Sequence, residues 1–440
     1  MRTAVFTIAS SNYFALVKTL MESLENSNPE YERYVAVADV ITDEIQNEAK
    51  SFNLLSIEDL ELPEEKKMLF RYDVLELNTA IKPFVFRTIF NKLGFDRVIY
   101  FDPDIYVYKG LSVLETIFNE GYEIVLTPHL TTIYDDSDGI PNDLDILKSG
   151  VYNLGFLALS KSLNTMNLVH WWMKKLEFQC VASFKDGLFV DQKWMDIVPG
   201  MFEHVYILKD AGYNVAYWNL THRKAELIEK NELLFNGQPL TFFHFSGLNP
   251  KDINSISKYQ NRFDLNSLNE LKGLFEVYAG KVLSNGYDYY RTFKYAYNYF
   301  CDGNYISELF RKIYRKDEKL IQECGGNPFD AESVFYHNRI RIISMMLELI
   351  WYEREEIRMI HPTVNSEEYV GWFLNTACRE YGLSSEFLEG VSIASVLNVE
   401  NYIRAKVRRK YQLKMFVKRY STEKAWNRYR KLFRRFWKKN

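Results

Sequence analysis

Residues 97–108 read RVIYFDPDIYVY, an apolar run followed by two aspartates. The apolar part predicts a strand buried on both faces, because a short run rich in β-branched and aromatic residues suits a covered sheet. Pro103 fixes one backbone dihedral and removes an N–H, which favours a rigid turn after the strand. Asp102 and Asp104 then lie at the sheet edge where α/β proteins bind ligands, and two carboxylates there can hold a hard divalent cation. An Asp-x-Asp pair alone is more often a simple turn, so this interpretation depends on partners elsewhere in the chain.

Strands and helices alternate on either side of this stretch. The predicted strands cover residues 4–9, 34–39, 98–101, 123–127, 151–160 and 240–245. One predicted helix follows the first strand directly, and the others cover residues 43–52, 77–93, 163–178 and 187–198. This alternation predicts an α/β fold with a doubly wound, mainly parallel sheet.

The 440 residues of the chain exceed the size of one ordinary compact core. From about residue 252 the strand signal fades and an aromatic-rich helical pattern begins, including a long helix predicted over residues 340–358. We therefore predict a sheet domain over residues 1–251, a helical domain over 252–400 and a basic amphipathic helical tail over 401–440.

Three features of the sequence predict a cytoplasmic protein. The amino-terminal residues lack a basic region followed by a long apolar core, so they predict a strand and not a signal peptide. No stretch of about 18 apolar residues occurs in the sequence. The four cysteines lie far apart without metal-ligand spacing, which fits a reducing compartment and argues against a structural zinc site.

The formal net charge of −3 hides a strong asymmetry. Residues 404–440 carry sixteen Lys or Arg and one Glu, about +15, which leaves about −18 on the rest of the chain. Cations and aromatic residues recur there at helical spacing, which predicts peripheral attachment to the inner, anionic face of a membrane. Packing on the acidic body of the same protein is the alternative. Nucleic acid is not predicted as a partner, because no recognised nucleic-acid module accompanies the basic tail.

Four short motifs occur together in the first 250 residues or so. They are Asp102-Pro103-Asp104, Tyr152-Asn153-Leu154-Gly155, Asp191-Gln192, and His244-Phe245-Ser246-Gly247 with a trailing Lys251. In this combination and order, the chain resembles nucleotide-sugar glycosyltransferases of the GT-A fold, and among them the retaining enzymes of glycosyltransferase family 8. One departure is that the family places its lysine before a Pro-Trp pair, whereas Lys251 follows Asn249-Pro250 and no tryptophan is present.

The resemblance implies that Asp102, Asp104 and His244 are ligands of a divalent metal. Two carboxylates suit Mg²⁺ or Mn²⁺, and an added imidazole shifts the preference towards Mn²⁺. Gly247 belongs to the same motif, and Lys251 would add a positive charge next to the donor diphosphate. A lone histidine at a strand end is more often structural, so the assignment of His244 depends on its partners.

The resemblance also implies a binding site for the rest of the donor. Four residues that follow the first two strands would line the nucleoside pocket: Ala9, Ser10, Asn12 and Asp39. Lys82 and Arg87, on the helix before the metal strand, would contact the diphosphate or the sugar, although an ordinary exposed helix charge is an equal alternative for Lys82. Asn153, Asp191 and Gln192 would hold the sugar hydroxyls and form the catalytic set, because they supply donors and acceptors in a suitable combination.

The implied reaction transfers a sugar, with retention, from a nucleotide diphosphate donor to a hydroxyl of a glycan or lipid-linked glycan. A uridine diphosphate sugar is the favoured donor. If the reaction inverted the anomeric carbon, Asp191 or Asp186 would be the general base. A sugar nucleotidyltransferase is one alternative, although residues 9–12 lack the glycine-rich, basic loop that such enzymes usually have after their first strand. A non-catalytic sugar-binding scaffold is the other.

Overall fold

The computed structural model describes residues 1–134, 139–228, 232–317, 320 and 327–398. The chain divides into two compact units, with the division along the sequence after Asn298. The boundary predicted after residue 251 therefore lies inside the first unit. The basic tail predicted over residues 401–440 lies outside the described residues, so its helical character and its membrane contact stay predictions.

The strands of the first unit are spread along the sequence from Thr3 to His244. In chain order its described strands are β1 (Thr3–Ala9), β2 (Glu32–Val37), β3 (Asn53–Leu55), β4 (Arg97–Phe101), β5 (Ile105–Val107), β6 (Ile124–Pro128), β7 (Tyr152–Ser160), β8 (Ala182–Ser183), β9 (Leu188–Phe189), β10 (Val205–Ile207), β11 (Ala225–Ile228), β12 (Glu232–Phe235), β13 (Gln238–Pro239) and β14 (Phe242–His244). Seven of these described strands form the central sheet, in the order β10-β6-β7-β4-β1-β2-β3.

The central sheet is mainly parallel. β1 pairs in parallel with β2 and β4, β2 with β3, and β10 with β6. Strand β7 runs antiparallel to both of its neighbours, β4 and β6. The predicted α/β fold class with a mainly parallel sheet is confirmed, and β7 is the one reversed strand among the seven described.

Helices connect and cover these strands. In the first unit they are α1 (Phe14–Ser27), α2 (Asp43–Glu48), α3 (Glu65–Arg71), α4 (Val74–Ala80), α5 (Lys82–Asn91), α6 (Ser112–Asn119), α7 (Asp143–Ser149), α8 (Leu163–Leu176), α9 (Lys272–Ser284) and α10 (Tyr287–Tyr290). Short 3-10 turns occupy Ser11–Tyr13, Glu58–Leu60, Phe184–Asp186, Gln192–Gly200, Tyr217–Asn219, Leu265–Ser267, Asn269–Leu271 and Ala296–Asn298.

The prediction of one helix over residues 77–93 is wrong, because the helix is divided at Ile81. Asp73 starts α4 with a capping box, its carboxylate accepting from the backbone N–H of Glu76. Pro83, which has no N–H to donate, is tolerated in the first turn of α5 and so marks a new helix start. The predicted helix over residues 187–198 is also replaced, by strand β9 and the 3-10 turn Gln192–Gly200.

The central sheet is covered on both faces by apolar side chains. All seven residues of β1 are buried. On one face Phe6 lies against Phe86 of α5 with ring centroids 4.8 Å apart, and on the other Val5 shares a core with Phe14 of α1. This double burial agrees with the continuous apolar runs of β1 and β4, because strands covered on both sides have no solvent face to make polar.

The second unit is helical in its described residues. Its helices are Glu308–Lys316, Arg339–Glu353, Glu355–Ile360, Glu367–Trp372, Cys378–Glu380 and Ser385–Leu388, with π-helical turns at Glu332–Tyr336 and Phe373–Ala377. The long helix predicted over residues 340–358 is interrupted at Arg354. Within the described parts of the chain, every helix is too short or too polar to cross a bilayer.

Candidate metal and donor site

Several polar loops meet at one edge of the central sheet. Strands β1, β2 and β4 are parallel neighbours, so the loops that follow them leave the sheet on the same side. The reversed strand β7 begins at that side, where the backbone N–H of Asp102 donates to the carbonyl of Gly155 at 2.8 Å. The sequence motif around Asn153 is thereby placed beside the Asp102 turn.

His244 reaches this edge through the pairing of two short strands. β5 begins directly after Asp104 and pairs antiparallel with β14, with Ile105 opposite His244. The backbone N–H of Phe245 donates to the carbonyl of Asp104 at 2.9 Å, which fixes the end of the pairing. Two segments about 140 residues apart in sequence thus place their polar side chains together.

The three predicted metal ligands form one cluster. His244 Nε2 lies 2.9 Å from Asp104 Oδ1 and 3.7 Å from Asp102 Oδ2. One ligand atom from each of the three residues lies within 4.8 Å of the others. Ligand atoms of a divalent ion with bonds of about 2.1 Å are roughly 3 to 4 Å apart, so this donor set fits Mg²⁺ or Mn²⁺.

The charges in this cluster are linked. Burial raises the pKa of Asp102, while the nearby Lys82 and His244 act in the opposite direction. Burial alone would lower the pKa of His244, but Asp104 and Asp102 together raise it above its ordinary value. The two carboxylates and the imidazole thus act on one another's charge, and a divalent cation would bind the deprotonated forms of all three.

A second ion pair lies directly behind the first cluster. Lys82 Nζ is 2.5 Å from Asp191 Oδ2, donates to the carbonyl of Leu154 at 2.9 Å, and lies 4.1 Å from the centre of the Tyr100 ring. Both charged side chains are almost fully buried, and burial raises the pKa of Asp191 against the effect of Lys82. The Tyr100 hydroxyl donates to Asp102 Oδ1 at 2.5 Å. Tyr100 therefore connects the Lys82–Asp191 pair to the cluster of Asp102, Asp104 and His244.

Of the two interpretations of Lys82, the structure supports the inward-pointing one, because its side chain is 1% exposed. Arg87, five residues later on α5, faces another direction and donates to the carbonyls of Leu60 and Glu61. Lys251 pairs with Asp288 at 2.5 Å, and Asp186 accepts from the Ser183 hydroxyl. These contacts connect Arg87, Lys251 and Asp186 to other parts of the first unit.

Asn153 and Gln192 are engaged by the protein itself. Asn153 Oδ1 accepts from the Asn214 side-chain amide at 3.0 Å and from the backbone N–H of Gly155 at 3.2 Å. Gln192 Oε1 accepts from the backbone N–H of Leu154 at 3.0 Å, and its Nε2 donates to a carbonyl at residue 149. Both residues are 7% exposed, and their amides hydrogen-bond to the backbone at the start of β7.

The residues expected to line the nucleoside pocket also come together. The Ser10 hydroxyl donates to Asn12 Oδ1 at 2.6 Å, and the backbone of Ala9 accepts from the N–H of residue 38. The Asp39 carboxylate accepts from three backbone N–H groups, those of residues 11, 40 and 296, at 2.9 to 3.3 Å. Asp39 is 4% exposed, and burial raises its pKa although these donors oppose the shift.

Gly247 turns the chain after β14 with a φ of +75°, a left-handed conformation that glycine adopts without strain. A Cβ at this position would lie 2.6 Å from the Tyr259 ring and 2.8 Å from the Ser257 hydroxyl. The glycine of the last motif is therefore required by the turn and by the close approach of residues 257–259.

Other residues of the cluster were not predicted from the sequence. Tyr100 had a usable signal, because residues two apart along an extended chain share a face and Tyr100 precedes Asp102 by two. No sequence signal pointed to Asn214, His129 or Trp218. These residues lie in loops that come close to the cluster only when the whole sheet has formed. The Trp218 ring lies 5.1 Å from the His244 ring and 5.3 Å from the His129 ring.

The solved structures to which the chain is similar include several glycosyltransferases. Galactosyltransferase LgtC, solved with donor and acceptor sugar analogues, matches with a TM-score of 0.38 and 15% identity, over 63% of this chain and 95% of its own. Mouse xyloside xylosyltransferase 1 matches with a TM-score of 0.34 and 14% identity, over 56% and 97%. The glycosyltransferase GlyE of Streptococcus pneumoniae has a TM-score of 0.35 and 14% identity, over 65% and 64%.

Two particular relatives in sequence come from Bacillus subtilis. The uncharacterized protein YfnF is 25% identical over 283 residues, which are 62% of this chain and 90% of YfnF. The uncharacterized protein YfnD is 22% identical over 247 residues, which are 55% of this chain and 76% of YfnD. No protein-family model matches the chain.

We predict that Gly155→Ala displaces His244 and weakens metal binding by about 10-fold or more. An added Cβ would lie 2.4 Å from His244 Cε1 and 2.7 Å from Nδ1, closer than carbon atoms approach in proteins. Titration with Mn²⁺ followed by electron paramagnetic resonance measures the dissociation constant. Gly200→Ala is the matched control, because nothing lies within 4 Å of an added Cβ there. Equal Mn²⁺ affinity in the two variants would contradict the prediction.

We predict that Lys82→Met destabilises the protein by about 3 to 5 kcal/mol, because it leaves the buried Asp191 carboxylate unpaired. The double variant Lys82→Met with Asp191→Leu recovers part of this loss, since both charges are then removed. Urea unfolding of the single and double variants measures both effects. Lys148→Met is the matched control, because its pair with Asp145 is 3.8 Å long and exposed, and we expect a loss below about 1 kcal/mol. A similar loss in the two single variants would count against the role of the buried pair.

Proposed function

We propose that the protein is a metal-dependent glycosyltransferase that moves a sugar from a nucleotide diphosphate donor to a hydroxyl of a glycan or lipid-linked glycan. The observation that carries the proposal is the meeting of Asp102, Asp104 and His244 at the carboxyl edge of a mainly parallel sheet. Open α/β sheets bind ligands at this edge, and nucleotide diphosphates need a divalent ion to balance their charge.

Mn²⁺ is the proposed ion, with Mg²⁺ as the alternative, because the donor set includes an imidazole besides two carboxylates. When bound, the ion would act as a Lewis acid that neutralises the charge of the departing diphosphate. The protein itself holds the three ligand side chains in place. Pairing of β5 with β14 positions Asp104 and His244, and the Tyr100 hydroxyl orients Asp102.

The nucleoside is proposed to bind at the carboxyl ends of β1 and β2, against Ala9, Ser10, Asn12 and Asp39. Support comes from the close grouping of these residues beside the Asp102 turn. A uridine diphosphate sugar is the favoured donor. Asp39 is held by backbone N–H groups and is almost fully buried, so it would shape this pocket by fixing the loops around it.

The sugar is proposed to lie beside the metal ligands, on the side where the Lys82–Asp191 pair adjoins them. Asp191 is the residue of this region whose negative charge, kept next to a lysine, could accept hydrogen bonds from sugar hydroxyls. Asn153 and Gln192 contribute by holding the first residues of β7 against the Asp102 turn. Lys251 and Arg87 would reach the donor after leaving their present partners, Asp288 and the carbonyls of residues 60 and 61.

Transfer is proposed to retain the configuration of the anomeric carbon. In that case the departing phosphate oxygen accepts the proton of the acceptor hydroxyl on the same face, and no protein base is needed. An inverting reaction would need a carboxylate free to take that proton. Asp191 is already paired with Lys82 and Asp186 accepts from a serine hydroxyl, which favours retention.

We expect Mn²⁺ to support turnover of a uridine diphosphate sugar, and the Asp104→Ala variant to lose activity by at least about 100-fold. Thermal-shift screening of nucleotide sugars with and without Mn²⁺ finds the donor, and a coupled assay of released nucleotide diphosphate measures turnover. Lys109→Met, which breaks an exposed pair with Glu232, is the control. Proton NMR of the first product then gives the anomer, and an inverted anomer would refute retention.

The same assay separates the alternatives. A sugar nucleotidyltransferase would release pyrophosphate from a nucleoside triphosphate and a sugar phosphate. A non-catalytic scaffold would bind the nucleotide sugar with no turnover in the presence of Mn²⁺. Turnover that survives Asp104→Ala and His244→Ala would refute the proposed site.

Residues 404–440 are proposed to attach the enzyme to an anionic membrane surface, on the basis of their sixteen cations and interspersed aromatic residues. We expect the full chain to sediment with vesicles that contain phosphatidylserine, and binding to fall as salt screens the charges. A chain that ends at residue 399 and vesicles of neutral lipid are the two controls. Equal sedimentation of the long and short chains would show that the tail is not the membrane anchor.

A further inference from the structure

A second buried histidine lies next to the proposed metal cluster. His129 follows the end of β6 at the same edge of the sheet and is 5% exposed. It is not one of the three clustered ligands. Its ring contacts Trp218 edge to face, and its Nε2 lies 3.3 Å from Asn153 Nδ2. A buried imidazole has two polar nitrogens that need hydrogen-bond partners, so the partners of His129 indicate what it does.

The hydrogen bonds of His129 fix which of its nitrogens carries the proton. His129 Nδ1 lies 3.4 Å from the carbonyl of Val151, which only accepts, so Nδ1 is the protonated nitrogen. Burial lowers the pKa of His129 to about 4, and the ring is therefore neutral at physiological pH. A neutral ring protonated at Nδ1 leaves Nε2 as an acceptor, and the Asn153 amide nitrogen donates to it.

The Asn153 Nδ2 group is held by His129 and, at 3.5 Å, by Gln192 Oε1, and these two acceptors together orient the amide. With Nδ2 turned towards His129, Oδ1 faces the other side, where Asn214 and the backbone N–H of Gly155 both donate to it. The same Oδ1 lies 3.3 Å from His244 Nδ1. An oxygen in this position accepts a hydrogen bond, so it selects the form of His244 that is protonated at Nδ1.

The opposite orientation would have the opposite effect on His244. If the Asn153 amide were rotated, an N–H group would face His244 Nδ1 and favour a lone pair there. The proton would then sit on Nε2, which lies 2.9 Å from Asp104 and is the nitrogen on the metal side of the ring. A protonated Nε2 cannot bind a metal ion.

We propose that His129 is a positioning residue that sets the tautomer of His244 through the Asn153 amide. In this relay His129 holds the amide, and the amide holds the proton of His244 on Nδ1. Nε2 is thereby kept free for a divalent cation. The inference rests on the proposed metal site. It assigns His129 an indirect function, because His129 acts through Asn153 and His244 and not by contact with the metal ion or a substrate. Outer partners of metal-binding histidines commonly change affinity by about 10- to 100-fold when replaced.

The test compares three histidine variants of the full chain. His129→Phe keeps a ring against Trp218 but removes the acceptor, and we expect the Mn²⁺ dissociation constant to rise about 10-fold. His129→Gln restores an acceptor for the Asn153 amide and recovers most of the affinity. His222→Phe is the matched control, because His222 is also partly buried with a pKa lowered to about 4 by burial, but its ring contacts Thr221. Mn²⁺ is titrated alone, without nucleotide, and free Mn²⁺ is measured by electron paramagnetic resonance.

A measurement on the unchanged protein covers the case in which His129→Phe does not fold. Nitrogen-15 NMR of histidine-labelled protein with Mg²⁺, which is diamagnetic, reports the tautomer of each ring. We expect His129 and His244 both to carry their proton on Nδ1. Protonation of His129 at Nε2 would overturn the relay, and so would a His129→Phe variant with unchanged Mn²⁺ affinity and an unchanged His244 tautomer.

These outcomes separate the inference from the proposed function. If the unchanged protein binds Mn²⁺ no better than Asp104→Ala does, the metal site itself is refuted. If Asp104→Ala abolishes binding while His129→Phe has no effect, the site stands and the relay is wrong.

Discussion

The antiparallel pairing of β5 with β14 is the constraint on which the candidate site depends. β5 continues the strand that ends in the Asp102 turn, and the register of the pair sets His244 opposite Ile105. A shift of one residue in this register would turn the histidine to the other face of the strand, because side chains alternate. The site therefore requires the fold to be completed through residue 244 before its third ligand is in place. The backbone bond from Phe245 to Asp104 and the bond from His244 to Val215 secure the register on both sides of β14.

Around this pairing, the buried polar groups next to the ligands are joined by ion pairs and hydrogen bonds. Lys82 is shared among Asp191, the carbonyl of Leu154 and the Tyr100 ring, which spreads one positive charge over the region behind the carboxylates. The amides of Asn153 and Gln192 connect the start of β7 to its neighbours. Since an unpaired buried polar group is costly, such networks hold a single arrangement of the ligands in the absence of the ion. The structure is thus prepared for a cation by hydrogen bonds between residues that do not themselves bind it.

Local patterns in the sequence predicted the strands and the edge they share, because continuous apolar runs and alternating elements have few other solutions. The grouping of Asp102, Asp104 and His244 came from the resemblance to a glycosyltransferase family, which is carried by motifs spread along the chain. The inward direction of Lys82 could not be predicted, since helical spacing does not say which side of α5 meets the sheet. The helix predicted over residues 77–93 is divided at Ile81, because the apolar pattern continues across the position where Pro83 starts a new helix. Asn214 and His129 were beyond reach, because their contacts depend on loops brought together by the finished sheet.

The extent of the first unit has a practical consequence for dissecting the chain. Residues between 252 and 298 contribute to the fold of the amino-terminal part. Asn285 donates to Thr19 at 3.0 Å, the Tyr290 ring lies 5.9 Å from that of Phe14, and the backbone of Ala296 donates to Asp39. A fragment cut where the strands end would expose the apolar face of α1 and leave a buried carboxylate short of a donor. An expression boundary drawn after residue 298 keeps these contacts within one polypeptide.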